Sequence, residues 1–337
     1  MPAYSSGPLR TGVWGTGSYL PDHVVRNQDI AASTGVSPEW IERKTGIIER
    51  RYAAAHQATS DLAAEAGRRA LEDAGLTAEE LGWVIVATTT PDQPQPPTAA
   101  IVQQRLGAGR AASFDVNAVC AGFVVALDVA ARMLAGDGAS RGPALVIGSE
   151  VYSRVIDPTD RRTAPLFGDG AGAVVLGPVP AQRGVLGSHS ATDSRLLDLI
   201  GISAGGSRTP PSAETLARGE HFFRMRGREV RAYVMRELPR AVQALLRDLS
   251  VPPDLVRHFI PHQANGAMLG EVLENLGLPR ARAHLPVARH GNTGAASVPL
   301  ALDHAHRSGE LSDGDLVLLA GFGGGMTTSA ALLAWGL

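Results

Sequence analysis

Asn117-Ala118-Val119-Cys120-Ala121-Gly122-Phe123 contains the only cysteine of the 337-residue chain. The run Ala112–Val116 leading into it is β-prone. The run Phe123–Leu134 leading out is apolar with helical spacing. The pattern predicts a strand, a tight turn carrying the thiol, and a buried helix. At a helix N-terminus the dipole and the unpaired N–H groups favour a thiolate. A lone cysteine is more often a small core residue. Its place at a strand-to-helix turn makes Cys120 a candidate nucleophile.

Composition narrows the function classes. The apolar fraction of 44% is ample for a deep core. A net charge of −2 argues against nucleic acid or an anionic membrane as the main partner. One cysteine excludes an intrachain disulfide, which fits a reducing compartment. The stretch Met1–Arg10 lacks the apolar core of a signal peptide, and no run is long enough to span a bilayer. The expectation is a soluble, cytoplasmic protein. Lys44 is the sole lysine, a bias typical of a GC-rich genome.

Strand-like and helical runs alternate, which predicts an α/β fold. Helices are expected at 60–74 with Ser60 as cap, 98–106, 123–134, 228–249, 264–276 and 295–307. Strands are expected at 83–88, 112–116, 144–148, 173–176, 258–260, 316–319 and 328–333. Pro178–Pro180 reads as a linker. It divides the chain into an N-terminal half, 1–177, with the nucleophile, and a C-terminal half, 178–337.

The halves correspond. Val84–Ala87 pairs with His258–Ile260, and Asn117–Leu134 with Asn292–Arg307. Ala144–Ser149 with Gly168–Leu176 matches Leu316–Leu319 with Gly321–Leu333. Such a duplication brings Cys120, His262 and Asn292 to one central cleft, each from a turn. A thiolate attacks an acyl carbonyl and forms a thioester. An imidazole and a carboxamide both donate hydrogen bonds to a developing oxyanion. A lone histidine after a strand is usually structural, and Asn-Thr-Gly is usually a plain turn. The conjunction with Gly321-Phe322-Gly323-Gly324-Gly325 tips the reading toward a site, because consecutive glycines let backbone approach a ligand. Gly168-Asp169-Gly170-Ala171-Gly172-Ala173 precedes a strand instead of opening a helix, so it is no dinucleotide site. No Walker A sequence is present, and no Cys/His spacing supports a structural zinc.

Further segments extend the pattern: Gly15-Thr16-Gly17-Ser18-Tyr19-Leu20-Pro21, Trp40-Ile41-Glu42-Arg43-Lys44-Thr45-Gly46-Ile47, Asp157-Pro158-Thr159-Asp160-Arg161, Phe167-Gly168-Asp169-Gly170-Ala171-Gly172, Pro261-His262-Gln263-Ala264-Asn265 and Gly291-Asn292-Thr293. With the Cys120 turn and the glycine run they stand in one order from about Gly12 to Trp335. In that order they resemble the thiolase superfamily, and most closely β-ketoacyl-ACP synthase III. The resemblance implies a five-layered αβαβα fold built from two similar halves, and a homodimer. It implies a Cys120, His262 and Asn292 triad, with an oxyanion hole from the N–H groups of Cys120 and Gly324. Acyl-CoA is then a substrate that loads Cys120. A malonyl thioester on an acyl carrier protein loses carbon dioxide and attacks the acyl-cysteine in a Claisen condensation that primes fatty-acid or polyketide synthesis. No metal or redox cofactor is implied. Trp40 matches the position that stacks on the CoA adenine, and Arg161 one that meets its phosphate-bearing end. Asn265 and Phe322 match positions lining the inner tunnel.

Three departures bear on substrate choice. Lys44 stands where an arginine is usual, and loses its planar fork. Gln95, in the proline-rich stretch 91–97, stands where a phenylalanine often crosses the dimer to shape the partner's acyl pocket. This points to an acyl group larger or more polar than acetyl. Gly266, Ala267 and Met268 follow Asn265 where a basic residue usually helps dock the carrier protein. The arginines 224, 226, 228 and 231 border the tunnel mouth and offer replacement charge for that docking or for binding phosphates. These departures motivate a second reading: transfer of the acyl group from Cys120 to a hydroxyl or amine of a secondary metabolite, with His262 as general base. A papain-like protease is disfavoured by the flanks of Cys120. An inert partner subunit would be expected to lose the nucleophile.

Overall fold

The computed structural model describes residues 9–135 and 137–337. The stretch read above for a signal peptide lies, for residues 1–8, outside the described residues. Ten strands form two mixed five-stranded sheets. In the first half they are β1 (Leu9–Tyr19), β2 (Trp83–Ala87), β3 (Ala112–Val116), β4 (Ala144–Glu150) and β5 (Gly170–Pro180). In the second they are β6 (Gly184–Thr192), β7 (Val256–Pro261), β8 (Arg282–Ala283), β9 (Leu316–Gly323) and β10 (Thr327–Ala334). The order β1-β5-β4-β2-β3 in one sheet answers β6-β10-β9-β7-β8 in the other. The pairing sense matches throughout: the first two contacts of each are antiparallel and the last two parallel. The correspondence read from the sequence is therefore a repeat of topology.

Six helices complete five layers: α1 (Thr59–Ala74), α2 (Thr98–Leu106), α3 (Gly122–Ala135), α4 (Gly227–Asp248), α5 (Gly266–Leu273) and α6 (Ser297–Arg307). Helices α1 and α2 cover the outer face of the first sheet, and α4 and α5 that of the second. Helices α3 and α6 fill the middle layer. Period-two alternation in the strands builds this arrangement. Ile85 faces the middle layer while Val84 and Val86 face α1. Val317 and Leu319 face the middle layer while Leu318 faces α4. Both faces of the central strands are dry, hence their continuous apolar runs.

Two expectations need correction. Pro178–Pro180 is no linker. It ends β5 and pairs with Leu9–Thr11 at the start of β1. Beyond Leu176, β5 has no partner on its β4 side, so proline's missing donor costs no ladder bond there, and the chain crosses to the second sheet at 181–183. Ser60 is not the cap of α1. The helix starts one residue earlier, with Asp61 accepting from the Ala58 N–H. Ser60 instead donates from its backbone and hydroxyl to Asp92, at 2.8 and 2.6 Å.

Two excursions leave the repeat. The first is a hairpin, His23–Arg26 with Glu49–Tyr52, enclosing helices Asn27–Thr34 and Pro38–Thr45. The second lies between β6 and α4, where Ile200–Gly201 pairs with Arg224–Met225. They meet the segment between β4 and β5 around Ile41, Ile47, Tyr152, Phe167 and Phe223. No helix among the described residues is long and apolar enough to cross a membrane.

Candidate active site

Cys120 sits at the end of a strained turn. Val119 before it has φ +50°, a left-handed conformation that β-branched residues avoid. Asn117 holds the turn by accepting from the Val119 N–H at 3.2 Å. The thiol is 7% exposed. Glycines of β9 make room for it. A Cβ on Gly323 would lie 2.7 Å from the Cys120 nitrogen, and one on Gly321 2.8 Å from the Ala121 Cα. The glycine run does close a hairpin between β9 and β10, and it also seats the nucleophile. Gly324 packs over Val119.

Burial pushes the Cys120 thiol up to about 12; the nearby Glu150 adds to this and a hydrogen bond with Tyr152 opposes it. The resting group is a thiol. This overturns the expectation of a resting thiolate, since desolvation outweighs the benefit of the helix terminus.

His262 follows β7 and is 2% exposed. Its Nδ1 lies 2.7 Å from the Ser297 hydroxyl at the start of α6. The Phe322 ring packs edge-on against the imidazole, with centroids 5.0 Å apart. Burial pushes His262 down to about 3, opposed by a hydrogen bond with the Gly294 backbone, so the ring is neutral. Asn292 is 5% exposed. Its Oδ1 accepts from the Gly294 N–H at 2.9 Å, which leaves the amide nitrogen, a double donor, outside that turn bond. Its backbone pairs with the 166–168 segment, donating to Leu166 and accepting from Gly168. Gly294 is the meeting point: a Cβ there would lie 2.5 Å from the Tyr152 ring.

Arg50 supports this segment. It is fully buried, and donates to Asn27 Oδ1 at 2.9 Å and to the Pro165 carbonyl at 2.7 Å. Burial lowers its pKa. Arg50→Ala strands both acceptors and opens a cavity beside Leu166. We expect a loss of about 3 kcal/mol, read as a lower urea midpoint at unchanged slope.

A cavity of about 560 Å³ reaches Asn292, while Cys120 and His262 do not line it. Trp40, Lys44, Arg161 and Asn265, placed by the family resemblance, line it together. Asn265 also caps α5 by accepting from the Met268 N–H, and donates to the Lys44 carbonyl, so it ties two walls together. Phe322 lies behind His262 and does not line this space. Gln95 is exposed and stands outside the cavity of its own chain. Of the four arginines expected at the mouth, Arg228 and Arg231 line this cavity, whereas Arg224 and Arg226 line a separate pocket. Arg224 is engaged by Asp157 and Asp160 and Arg231 by Glu271. Lys44, Arg161 and Arg228 have no ion pair among the described residues. Sequence reading missed Glu150, Tyr152 and Ser297. The signal for Glu150 was a carboxylate closing an otherwise apolar strand.

The fold and this cleft define a thiolase-like condensing enzyme. The family models for 3-oxoacyl-[acyl-carrier-protein] synthase III match residues 114–194, and its C-terminal part 246–335. The chain is 52% identical to acetoacetyl CoA synthase NphT7 of Streptomyces sp. (strain CL190), over 97% of this chain and 99% of that protein. It is 42% identical to the β-ketoacyl-[acyl-carrier-protein] synthase III of Caldanaerobacter subterraneus subsp. tengcongensis, over 97% and 98%. The solved synthase III of Thermus thermophilus superposes with a TM-score of 0.88 at 37% identity, covering 96% of this chain and 99% of the other. The chain belongs to the β-ketoacyl-ACP synthase III family of transferases.

Proposed function

We propose that the chain condenses a short acyl-CoA with a malonyl thioester carried on CoA, giving a 3-ketoacyl-CoA. Cys120 takes the acyl group, its carbonyl oxygen held by the N–H groups of Cys120 and Gly324. The malonyl thioester then loses carbon dioxide. His262 and the Asn292 amide donate to the enolate oxygen, and the enolate carbon attacks the acyl-cysteine.

The observation carrying this reading is the cavity lined by Trp40, Lys44 and Arg161 together with Asn292. Its unpaired cations suit the phosphates of CoA. The face of α5 where carrier docking charge was expected offers Gly266, Ala267 and Met268 instead. The name of the Streptomyces relative supports a CoA-bound product. A short acyl group fits because Tyr152 neighbours Cys120 and its ring is backed by Phe167 at 4.5 Å. A short group is thereby favoured over the larger or more polar one inferred from Gln95. Transfer to a hydroxyl or amine needs a base, and an imidazole held near 3 is a poor one.

The test supplies acetyl-CoA with either malonyl-CoA or malonyl-ACP, and follows carbon dioxide, the 3-ketoacyl product and the mass of Cys120. A Cys120-linked acetyl group and acetoacetyl-CoA are expected, both lost in Cys120→Ala. Absence of carbon dioxide with either extender defeats the condensing reading. Product from malonyl-ACP alone defeats the CoA assignment.

A further inference from the structure

When the thioester forms, the proton of the buried Cys120 thiol needs an acceptor. His262 is neutral and its surroundings resist a positive charge. Behind Cys120 lies a carboxylate that this chemistry has not used. Glu150 ends β4, is fully buried, and lies under the turn at Gly294, where a Cβ would come within 2.9 Å of its Cγ. The three threonines after β2 surround it. Thr89 donates to it from backbone and hydroxyl at 3.1 and 3.0 Å, and Thr90 from its hydroxyl at 2.5 Å. Thr88 adds a hydroxyl at 3.3 Å. An isolated buried carboxylate is costly, and this many donors shows a site built to hold one.

The network reaches the nucleophile. The Thr89 hydroxyl lies 3.1 Å from the Tyr152 hydroxyl, and Tyr152 neighbours the Cys120 thiol closely enough to hold its pKa down. Each member can donate onward and accept from the one before: thiol to tyrosine, tyrosine to threonine, threonine to carboxylate. The ionisable side chains facing Glu150 are Cys120 and Tyr152; its threonine, Gly294 and Ala295 neighbours are neutral, and His262 lies beyond Gly294.

We propose that Tyr152 and Thr89 relay the Cys120 proton to Glu150 during acylation, and that Glu150 holds it until condensation returns the cysteine. The proposal rests on the reading that Cys120 is loaded by acyl-CoA. In the first step the S–C bond to the acyl group forms and the acyl–S bond of acyl-CoA breaks. The thiol proton passes to Tyr152, the tyrosine proton to Thr89 and the threonine proton to Glu150, which becomes a carboxylic acid. CoA leaves as thiolate and takes a proton from solvent at the open mouth. In the second step the enolate forms a C–C bond, the acyl–Cys120 bond breaks, and the same chain runs backward to restore the thiol. One proton is consumed overall, by CoA, which balances the loss of the malonyl carboxylate as carbon dioxide. Burial raises Glu150 to about 7 against its threonine donors, which places it where it can both take and return a proton.

Wild type, Glu150→Gln and Tyr152→Phe are mixed with acetyl-CoA at pH 8, where Glu150 starts as carboxylate. Acetylation is followed by mass, and an infrared difference spectrum is recorded for each. Wild type, mixed rapidly, should gain a protonated-carboxyl band as Cys120 is acetylated, before the proton exchanges with solvent or malonyl-CoA is added. Glu150→Gln should lack the band. Tyr152→Phe should lack it and acetylate at least about tenfold slower. The wild-type acetylation rate should climb with pH to a plateau above about 7, and that limb should vanish in Tyr152→Phe. If Glu150→Gln does not fold, the wild-type spectrum and Tyr152→Phe decide. Acetylated wild type without the band, or Tyr152→Phe at wild-type rate with the limb intact, overturns the relay and leaves the condensing function standing. Wild type without any acetyl mass shift overturns both.

Discussion

Replacing His262 with alanine should leave Cys120 able to take an acetyl group, yet lower decarboxylative condensation by about 10²–10³-fold, the usual cost of one oxyanion donor. The imidazole is buried, neutral and fixed by Ser297 and Phe322. It is suited to donate a hydrogen bond without building up charge, and poorly suited to accept the thiol proton. The two half-reactions should therefore separate. Single-turnover mass spectrometry should show acetyl-Cys120 accumulating in His262→Ala at a rate near wild type. Carbon dioxide release from malonyl-CoA should fall with it unconsumed. His262→Asn keeps a donor near the same place and should recover part of the second step. Melting temperatures separate this from general damage. Loading that collapses along with condensation would make His262 the base for Cys120 and remove the need for another proton acceptor.

The fold was legible wherever one residue type decided one local conformation. The strand Ala112–Val116 and the helix Thr98–Leu106 begin and end where the sequence places them. The duplication was legible because both halves keep the same order of apolar runs. The two-residue pairing of Ile200–Gly201 with Arg224–Met225 was not, since its partners are far apart and carry no period. Pro178–Pro180 misled because proline marks linkers and sheet edges alike. Its partner strand starts about 170 positions earlier, beyond local reading. The wall residues Trp40, Lys44, Arg161 and Asn265 came from family resemblance, and the structure brings them to one cavity. Glu150 and Tyr152 escaped for a different reason. What sets them apart is a hydrogen-bond path through Thr89, and nothing in their spacing announces it. The expected low thiol pKa failed because the helix terminus is visible in sequence and the depth of burial is not.

Gly323→Ala should cost about 100-fold in acyl loading while the protein remains folded. The Gly323 backbone is extended, with φ −169°, a conformation open to any residue, so space alone excludes a side chain. The new methyl would lie 2.7 Å from the Cys120 nitrogen and 3.2 Å from the Cys120 and Val119 Cβ atoms. None of these is the end of a flexible side chain. The nucleophile turn must move as a unit, and Val119 is already held at positive φ. Displacement carries both the thiol and the Cys120 N–H away from the acyl carbonyl, and an error near 1 Å costs about 10²-fold. Overpacking of this kind destabilises by about 1–3 kcal/mol, which a core of this size tolerates. Stopped acetylation assays read by mass, beside urea unfolding, give the two numbers together. Gly206→Ala is the matched control, because a Cβ there meets nothing within 4 Å. Should Gly323→Ala load acetyl at the control's rate, the close seat of β9 under Cys120 has no part in positioning the thiol, and the glycine run serves only the hairpin.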